Sequence, residues 1–326
     1  LSDGMWFLTQ HKRWGLLKDH PDYLAVARQV NRIDIYKQGA AAAQVLGGDR
    51  PLIVETPKEG PALRSTYEIV EALQYQMRQA GITLRLGEKV SKIEELDGSG
   101  LVQAKLESGK ALQAQALLYA VGRQGTTKTL RVDKVGLEPD DRERLKVNAN
   151  YQTAVPHIYA AGDVIGFPAL ASTAMEQGRL AACHAFGAPG TSMPELFPYG
   201  IYAIPEISMV GKTEKQLTDA GIPYEAGIAH YKEVARGQLL GDHSGMLKLL
   251  IHQETRALLG AHAIGTGATE LIHIGQAVLA FNGTVDFFIN NVFNYPTLAE
   301  AYKVAALNGM NKLRALHAEL ATDDED

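Results

Sequence analysis

The sequence contains a single cysteine, Cys183, among 326 residues. One cysteine excludes an internal disulfide and any catalytic cysteine pair within the chain, and it fits a reducing compartment. No apolar run approaches the roughly 20 residues that a membrane-spanning helix requires, and no secretory signal pattern opens the chain. We therefore expect a cytoplasmic protein without a membrane partner.

Basic residues are not in excess either, because 32 Lys and Arg stand against 37 Asp and Glu, for a net charge of -5. This balance gives no reason to expect nucleic-acid binding, which normally requires a basic surface. The ten histidines show no metal-ligand spacing, so we expect no metal site. The hydrophobic content of 46% is ordinary for a globular protein, and the length predicts two domains or three small ones.

The most informative stretch runs from Thr153 to Arg179. Its pattern predicts a short strand over His157–Ala161, then Gly162 and Asp163, then an alanine-rich helix from about residue 169 to 185. Gly162 lets a ligand approach the backbone closely, and Asp163 offers an acceptor for a sugar or ribityl hydroxyl. The N–H groups at the helix start suit a phosphate or an anionic ring edge. This order predicts half of a nucleotide or flavin site, although an Asp that only caps a helix has the same spacing.

An earlier segment, from Arg32 to Glu55, has the order strand, turn, helix, strand and acidic residue, which is typical of a dinucleotide-binding unit. At its turn, Lys37 stands at the first glycine position, Gly39 at the second and Ala42 at the third. The fingerprint is degenerate, and the Cβ of Lys37 would crowd the turn. Glu55 is either a partner for the adenosine ribose hydroxyls or an ordinary carboxylate at the end of a strand.

Three further segments complete a family pattern: Leu117–Arg123, Pro205–Gly211 and Phe293–Tyr302. Together with the Gly162–Asp163 stretch, they resemble the FAD-dependent pyridine nucleotide-disulfide oxidoreductases, from about residue 68 to about residue 314. The resemblance implies an α/β fold with Rossmann-like nicotinamide and partial FAD domains, followed by an α+β dimerisation domain. It places a degenerate NAD(P)-binding domain at 31–116, the C-terminal part of an FAD-binding domain at 117–190 and the interface domain at 191–326. Residues 1–30 stay unassigned.

The same resemblance implies FAD and NAD(P) as cofactors and a homodimer as the assembly. It implies cofactor-binding roles for Gly122, Gly162, Asp163, Ala171, Gly39, Glu55 and Tyr295. For Ala171 the alternative is plain helix packing, and for Tyr295 it is packing at the subunit interface. No residue of this chain is assigned a catalytic role.

Two groups that are missing from this chain, a cysteine pair and a histidine, limit the reactions that it can catalyse. Disulfide reductases of this family need a cysteine pair, and a His immediately before Pro-Thr in the last segment, whereas this chain has Tyr295 before Pro296 and keeps Glu300 at the acid position. Hydride transfer between two nicotinamides through a flavin needs neither group. We therefore predict FAD-dependent hydride transfer between NADPH and NAD, a transhydrogenase activity. Because the family's N-terminal FAD unit is not found, the alternative is a truncated, non-catalytic dimerisation or binding protein of the same family.

Overall fold

The computed structural model describes residues 52–54, 67–120 and 125–323. The described residues fall into two compact units. The first contains a strand at Leu52–Val54 and the residues from Gly81 to Leu118, and the second contains the helix before Gly81 and all described residues from Tyr119 onward.

The first unit combines a short parallel strand pair with an antiparallel meander. Strand β1 (Leu52–Val54) pairs in parallel with β2 (Thr83–Arg85). Strands β3 (Val90–Leu96), β4 (Leu101–Leu106) and β5 (Ala111–Ala114) follow one another in a three-stranded antiparallel sheet. Turn residues separate these apolar runs in the sequence, and the meander that they predict is confirmed.

The second unit is built on one antiparallel sheet of five strands, in the order β6-β7-β10-β9-β8. The strands are β6 (Tyr199–Ile201), β7 (Ile207–Gly211), β8 (Tyr224–His230), β9 (Met246–His252) and β10 (Leu258–Ile264). The α-helices of this unit are α1 (Tyr67–Gln79), α2 (Ala171–Ala185), α3 (Glu214–Asp219), α4 (Ala235–Leu240), α5 (Ala268–Ala280), α6 (Asp286–Asn290) and α7 (Glu300–Asp323). The mixed α/β class predicted from the sequence is confirmed.

The alternation of side chains along β9 explains how both faces of this sheet are covered, since successive residues of a strand point to opposite faces. Leu247 and Leu249 belong to the main core, with residues of α5 and α7. Met246 belongs to a second cluster with Ile207, Ile264 and the fully buried Ile69 of α1. Helices therefore protect the sheet from water on both sides.

A fully buried tyrosine fixes α7 against α5. The hydroxyl of Tyr302 donates a hydrogen bond to the carbonyl of Leu271 and accepts one from the N–H of Gly275, both at 3.0 Å. Its ring stacks on Phe288 with the ring centroids 4.8 Å apart. Burial raises the pKa of Tyr302, and the bond from Gly275 opposes that shift only in part. The hydroxyl therefore stays neutral, and both of its hydrogen bonds are made inside the core.

The close crossing of α7 over β8 depends on two glycines. A Cβ on Gly227 would lie 2.1 Å from the carbonyl oxygen of Ala305, and a Cβ on Gly309 would lie 3.2 Å from Cα of Gly227. Polar bonds hold the two elements at this distance. Asn308 Oδ1 accepts from the N–H of Ile228 at 3.0 Å, and Lys312 Nζ donates to the carbonyl of Ala226 at 2.7 Å.

A buried ion pair joins β9 to the start of α3. Lys248 is completely shielded from solvent, and its Nζ lies 2.7 Å from Oε2 of Glu214. Thr213 caps α3 in a reciprocal capping box with Gln216. The cap sets where the helix begins, and so it brings the carboxylate of Glu214 to the lysine.

Candidate functional site

The chain leads into the candidate site through a turn-rich loop, so the predicted strand at His157–Ala161 is wrong. The N–H of Thr153 bonds to the carbonyl of Ile158 at 2.9 Å, and the N–H of Ala160 bonds to the carbonyl of Tyr151 at 3.0 Å. These bonds fold the segment back on itself, with only an isolated bridge between Gln152 and Tyr159. A strand needs a ladder of hydrogen bonds to a neighbouring strand, and no described strand pairs with this segment.

The turn at Gly162 has the backbone conformation that favours glycine. Its φ is 83°, in the left-handed region, and a Cβ at this position would lie 3.2 Å from Cβ of Ala174. Both facts disfavour any larger residue. Gly162 is buried and begins a 3₁₀ helix that ends at Ile165. The turn and its contact with α2 account for the glycine, while the approach of a ligand at Gly162 stays a prediction.

The predicted contact residues after this glycine are exposed. Asp163 lies in the first turn of the 3₁₀ helix, and Ala171 is the first residue of α2. No side chain caps the start of α2, where the N-cap residue is Leu170. The first N–H groups of a helix lack partners within the helix and carry partial positive charge. This end of α2 can therefore stabilise a negatively charged group.

Two polar residues on the buried face of α2 contact the loop that connects Gly162 to Ala171. Gln177 Oε1 accepts a hydrogen bond of 2.7 Å from the N–H of Gly162. Thr173 Oγ1 donates toward the carbonyls of Pro168 and Leu170, at 2.9 and 2.8 Å. Sequence reasoning assigned no role to either residue. The sequence feature that could have identified them is their spacing of four residues, which places both on one face of the helix.

Arg144 supports the same loop from another side. Its side chain packs on Gly166, where a Cβ would lie 3.2 Å from Cδ and Nη1 of Arg144. Asp140 accepts hydrogen bonds from the guanidinium and the backbone N–H of Arg144, each at 2.8 Å. These bonds hold the pKa of Asp140 below its ordinary value, so the carboxylate remains charged at neutral pH and keeps Arg144 in place.

Tyr295 lies apart from this loop in the chain, between α6 and α7. Its side chain is 72% exposed, and its peptide bond to Pro296 is cis. Glu300 begins α7, and its Oε2 is buried with no hydrogen-bond partner within the described part of the chain. Tyr295 therefore lies on an accessible segment, and this segment is far from Gly162 in the sequence.

The remaining predicted contacts, Gly39, Glu55 and Gly122, lie outside the described residues. Among the residues that the structure does describe, no group of three His, Cys, Asp or Glu side chains is arranged to hold a metal ion. Within the same residues, every helix is too short or too polar to cross a bilayer.

Comparison with family models gives two matches. The model described as pyridine nucleotide-disulphide oxidoreductase matches residues 39–178, and the dimerisation-domain model of the same name matches residues 197–306. The first match includes the Gly162 loop and the start of α2, and the second includes the five-stranded sheet.

Named relatives agree with these models. The chain is 54% identical over 250 residues to a soluble pyridine nucleotide transhydrogenase of Mycobacterium bovis, a match that covers 77% of this chain and 53% of the relative. It is 51% identical to the protein of that name from Klebsiella pneumoniae, over 76% of this chain and 53% of the relative. The chain thus spans about half the length of the relatives it matches.

Solved structures share the fold at lower identity. The flavoprotein disulfide reductase RclA of Escherichia coli matches with a TM-score of 0.72 at 24% identity, over 79% of this chain and 59% of that chain. LpdA of Mycobacterium tuberculosis matches with a TM-score of 0.69 at 22% identity, over 78% and 56%. These likenesses support the architecture of the described units.

Proposed function

Because the chain belongs to the pyridine nucleotide-disulphide oxidoreductase family, we propose that it acts as an FAD-dependent oxidoreductase that transfers hydride between NADPH and NAD. The observation that carries this proposal is the Gly162–Asp163 turn, packed against the uncapped start of α2. Relatives at 54% and 51% identity bear the name soluble pyridine nucleotide transhydrogenase, which supports the same reaction.

The residues of the loop fit the requirements of a flavin. Gly162 lacks the Cβ that would lie only 3.2 Å from Cβ of Ala174. We propose that Asp163 accepts a hydrogen bond from a ribityl hydroxyl, and that the start of α2 at Ala171 stabilises negative charge on the ring. FAD, when bound, supplies the acceptor and donor of hydride, while the protein binds and orients the nucleotides.

Thiol chemistry is not part of the proposed reaction. Cys183 is the only cysteine, and Tyr295 occupies the position before Pro296 where the disulfide reductases carry a His. We propose that Tyr295 borders the flavin of a second copy, and that Gly122, Gly39 and Glu55 contact the cofactors as the family pattern implies. The dimerisation-domain match at residues 197–306 supports a homodimer, which sedimentation of the purified chain would test.

The proposal is tested by the absorbance spectrum of the purified full chain, before and after incubation with FAD. We expect a bound-flavin band and NADPH-dependent reduction of an NAD analogue above a control without protein. Failure to bind FAD under both conditions would contradict the proposed enzyme activity of this chain.

Asp163→Ala is expected to weaken FAD binding by about 10- to 100-fold, since a hydrogen bond to a charged group contributes about 1.5–3 kcal/mol. Fluorescence titration of FAD against the purified variant measures the dissociation constant. The matched control is Asp133→Ala, which removes an exposed aspartate that pairs with Arg131 and should leave FAD binding unchanged. Equal dissociation constants for the two variants would remove Asp163 from the proposed site.

The second candidate is a non-catalytic dimerisation or binding protein of the same family. One observation favours it: most residues of the two largest buried clusters lie within the dimerisation-domain match, and none of them belongs to the Gly162 loop. Such a protein would form dimers with the same sheet, yet it would neither bind FAD nor oxidise NADPH. A rate of NADPH-dependent reduction clearly above the control would exclude it.

A further inference from the structure

We propose that Thr173 and Gln177 are positioning residues, which clamp the two ends of the 162–170 loop in the conformation that the flavin site requires. The flavin part of this inference rests on the proposed function. The clamp itself is visible without a ligand, because both side chains bond to backbone groups of the loop.

Gln177 holds the first end of the loop. Only 2% of its surface is exposed, in a helix whose other buried positions are mostly apolar. Burying a side-chain amide is unfavourable unless it is hydrogen-bonded, and the bond from the N–H of Gly162 provides that partner at 2.7 Å. The same bond satisfies a buried backbone donor. Because the N–H of Gly162 is directed at Gln177, Gly162 contributes the left-handed turn to the site and not a hydrogen bond to a ligand.

Thr173 holds the other end of the loop. Its side chain is 3% exposed, and its hydroxyl lies within hydrogen-bond distance of the carbonyls of both Pro168 and Leu170. These carbonyls precede the first residue of α2, so the bond fixes where the helix begins. Thr173 and Gln177 are separated by one helical turn, and one rigid face of α2 therefore sets the position of both ends of the segment that carries Asp163.

The test uses two variants of the full chain that each remove one hydrogen-bonding group with little change in side-chain size, together with a matched control for each. Gln177→Met removes the acceptor and Thr173→Val removes the hydroxyl, whereas Gln177→Glu and Thr173→Ser keep an oxygen. Hydrogen exchange of the Gly162 and Leu170 amides is measured without ligand, and FAD affinity by fluorescence titration. Thermal midpoints are recorded so that a global loss of stability is recognised.

We expect Gln177→Met to speed exchange of the Gly162 amide and Thr173→Val to speed exchange of the Leu170 amide, each by on the order of tenfold. Each variant should also weaken FAD binding by on the order of tenfold. Thr173→Ser should restore both values, which a purely volumetric role of Thr173 would not explain. If Gln177→Met does not fold, the test relies on hydrogen exchange of the Leu170 amide in Thr173→Val.

Unchanged exchange at both amides in folded variants would overturn the clamp. Faster exchange with an unchanged FAD dissociation constant would overturn the positioning role. If the wild-type chain binds no FAD, the proposed function fails, while the exchange measurements on the ligand-free chain still decide whether the clamp exists.

Discussion

Glu214→Ala is expected to lower the free energy of unfolding of the second unit by about 3–5 kcal/mol, because it removes the carboxylate that pairs with a buried lysine. Lys248 is fully shielded from solvent, and its Nζ lies 2.7 Å from the Glu214 carboxylate. Urea denaturation followed by far-ultraviolet circular dichroism measures the loss.

Two further variants separate the buried charge from helix effects. Asp219→Ala removes an acid from the same helix, where it pairs with Lys215 on the surface, and should cost less than about 1 kcal/mol. Adding Lys248→Met to Glu214→Ala also removes the buried ammonium group and should recover most of the stability. Equal losses for Glu214→Ala and Asp219→Ala would contradict this account of the ion pair.

Gly227→Ala is expected to destabilise the second unit by about 3 kcal/mol, at the upper end of the range for overpacked cores. The added Cβ would lie 2.1 Å from the carbonyl oxygen of Ala305. The obstacle is backbone, so no rotamer change can relieve it. Either α7 moves away from β8, or the bond between Ile228 and Asn308 is broken.

The matched control is Gly178→Ala in α2. A Cβ there meets no atom within 4 Å, and the glycine occupies a helix interior. The change should stabilise the chain by roughly 0.5–1 kcal/mol, because alanine loses less conformational entropy in a helix. Urea midpoints of the two variants should move in opposite directions. If Gly227→Ala is as stable as the wild type, the glycine is not required by the crossing.

Regular apolar patterns predicted much of the second unit correctly. The pattern predicts a strand at Leu258–Ile264, which is confirmed as β10, and a helix at Ala268–Phe281, which the structure has as α5, ending one residue earlier at Ala280. For β8 the pattern predicts a strand at Ile228–Val234, whereas the strand begins four residues earlier, at Tyr224, and ends at His230. Tyr231 continues the apolar pattern, but its N–H bonds to the carbonyl of Gly245 and turns the chain into a 3₁₀ helix.

The candidate site was only partly accessible to sequence reasoning. Gly162 and Asp163 stand out because glycine and aspartate have distinctive backbone and acceptor properties. Gln177 does not, since a glutamine in an alanine-rich helix is expected to face solvent. Its burial depends on a backbone donor 15 residues away. The ion pair between Glu214 and Lys248 joins residues still farther apart in the sequence, and neither element alone predicts it.

The contacts of α7 have a consequence for biosynthesis. Asn308 bonds to a backbone group 80 residues earlier, and Lys312 to one 86 residues earlier. Ala305, Met310 and Leu313 also complete the core beneath the sheet. During translation, the strands of this sheet are therefore made well before the helix that covers them, so the unit cannot close until α7 has left the ribosome. We expect chains that stop before Glu300 to remain sensitive to protease, and chains that reach the end of α7 to become resistant.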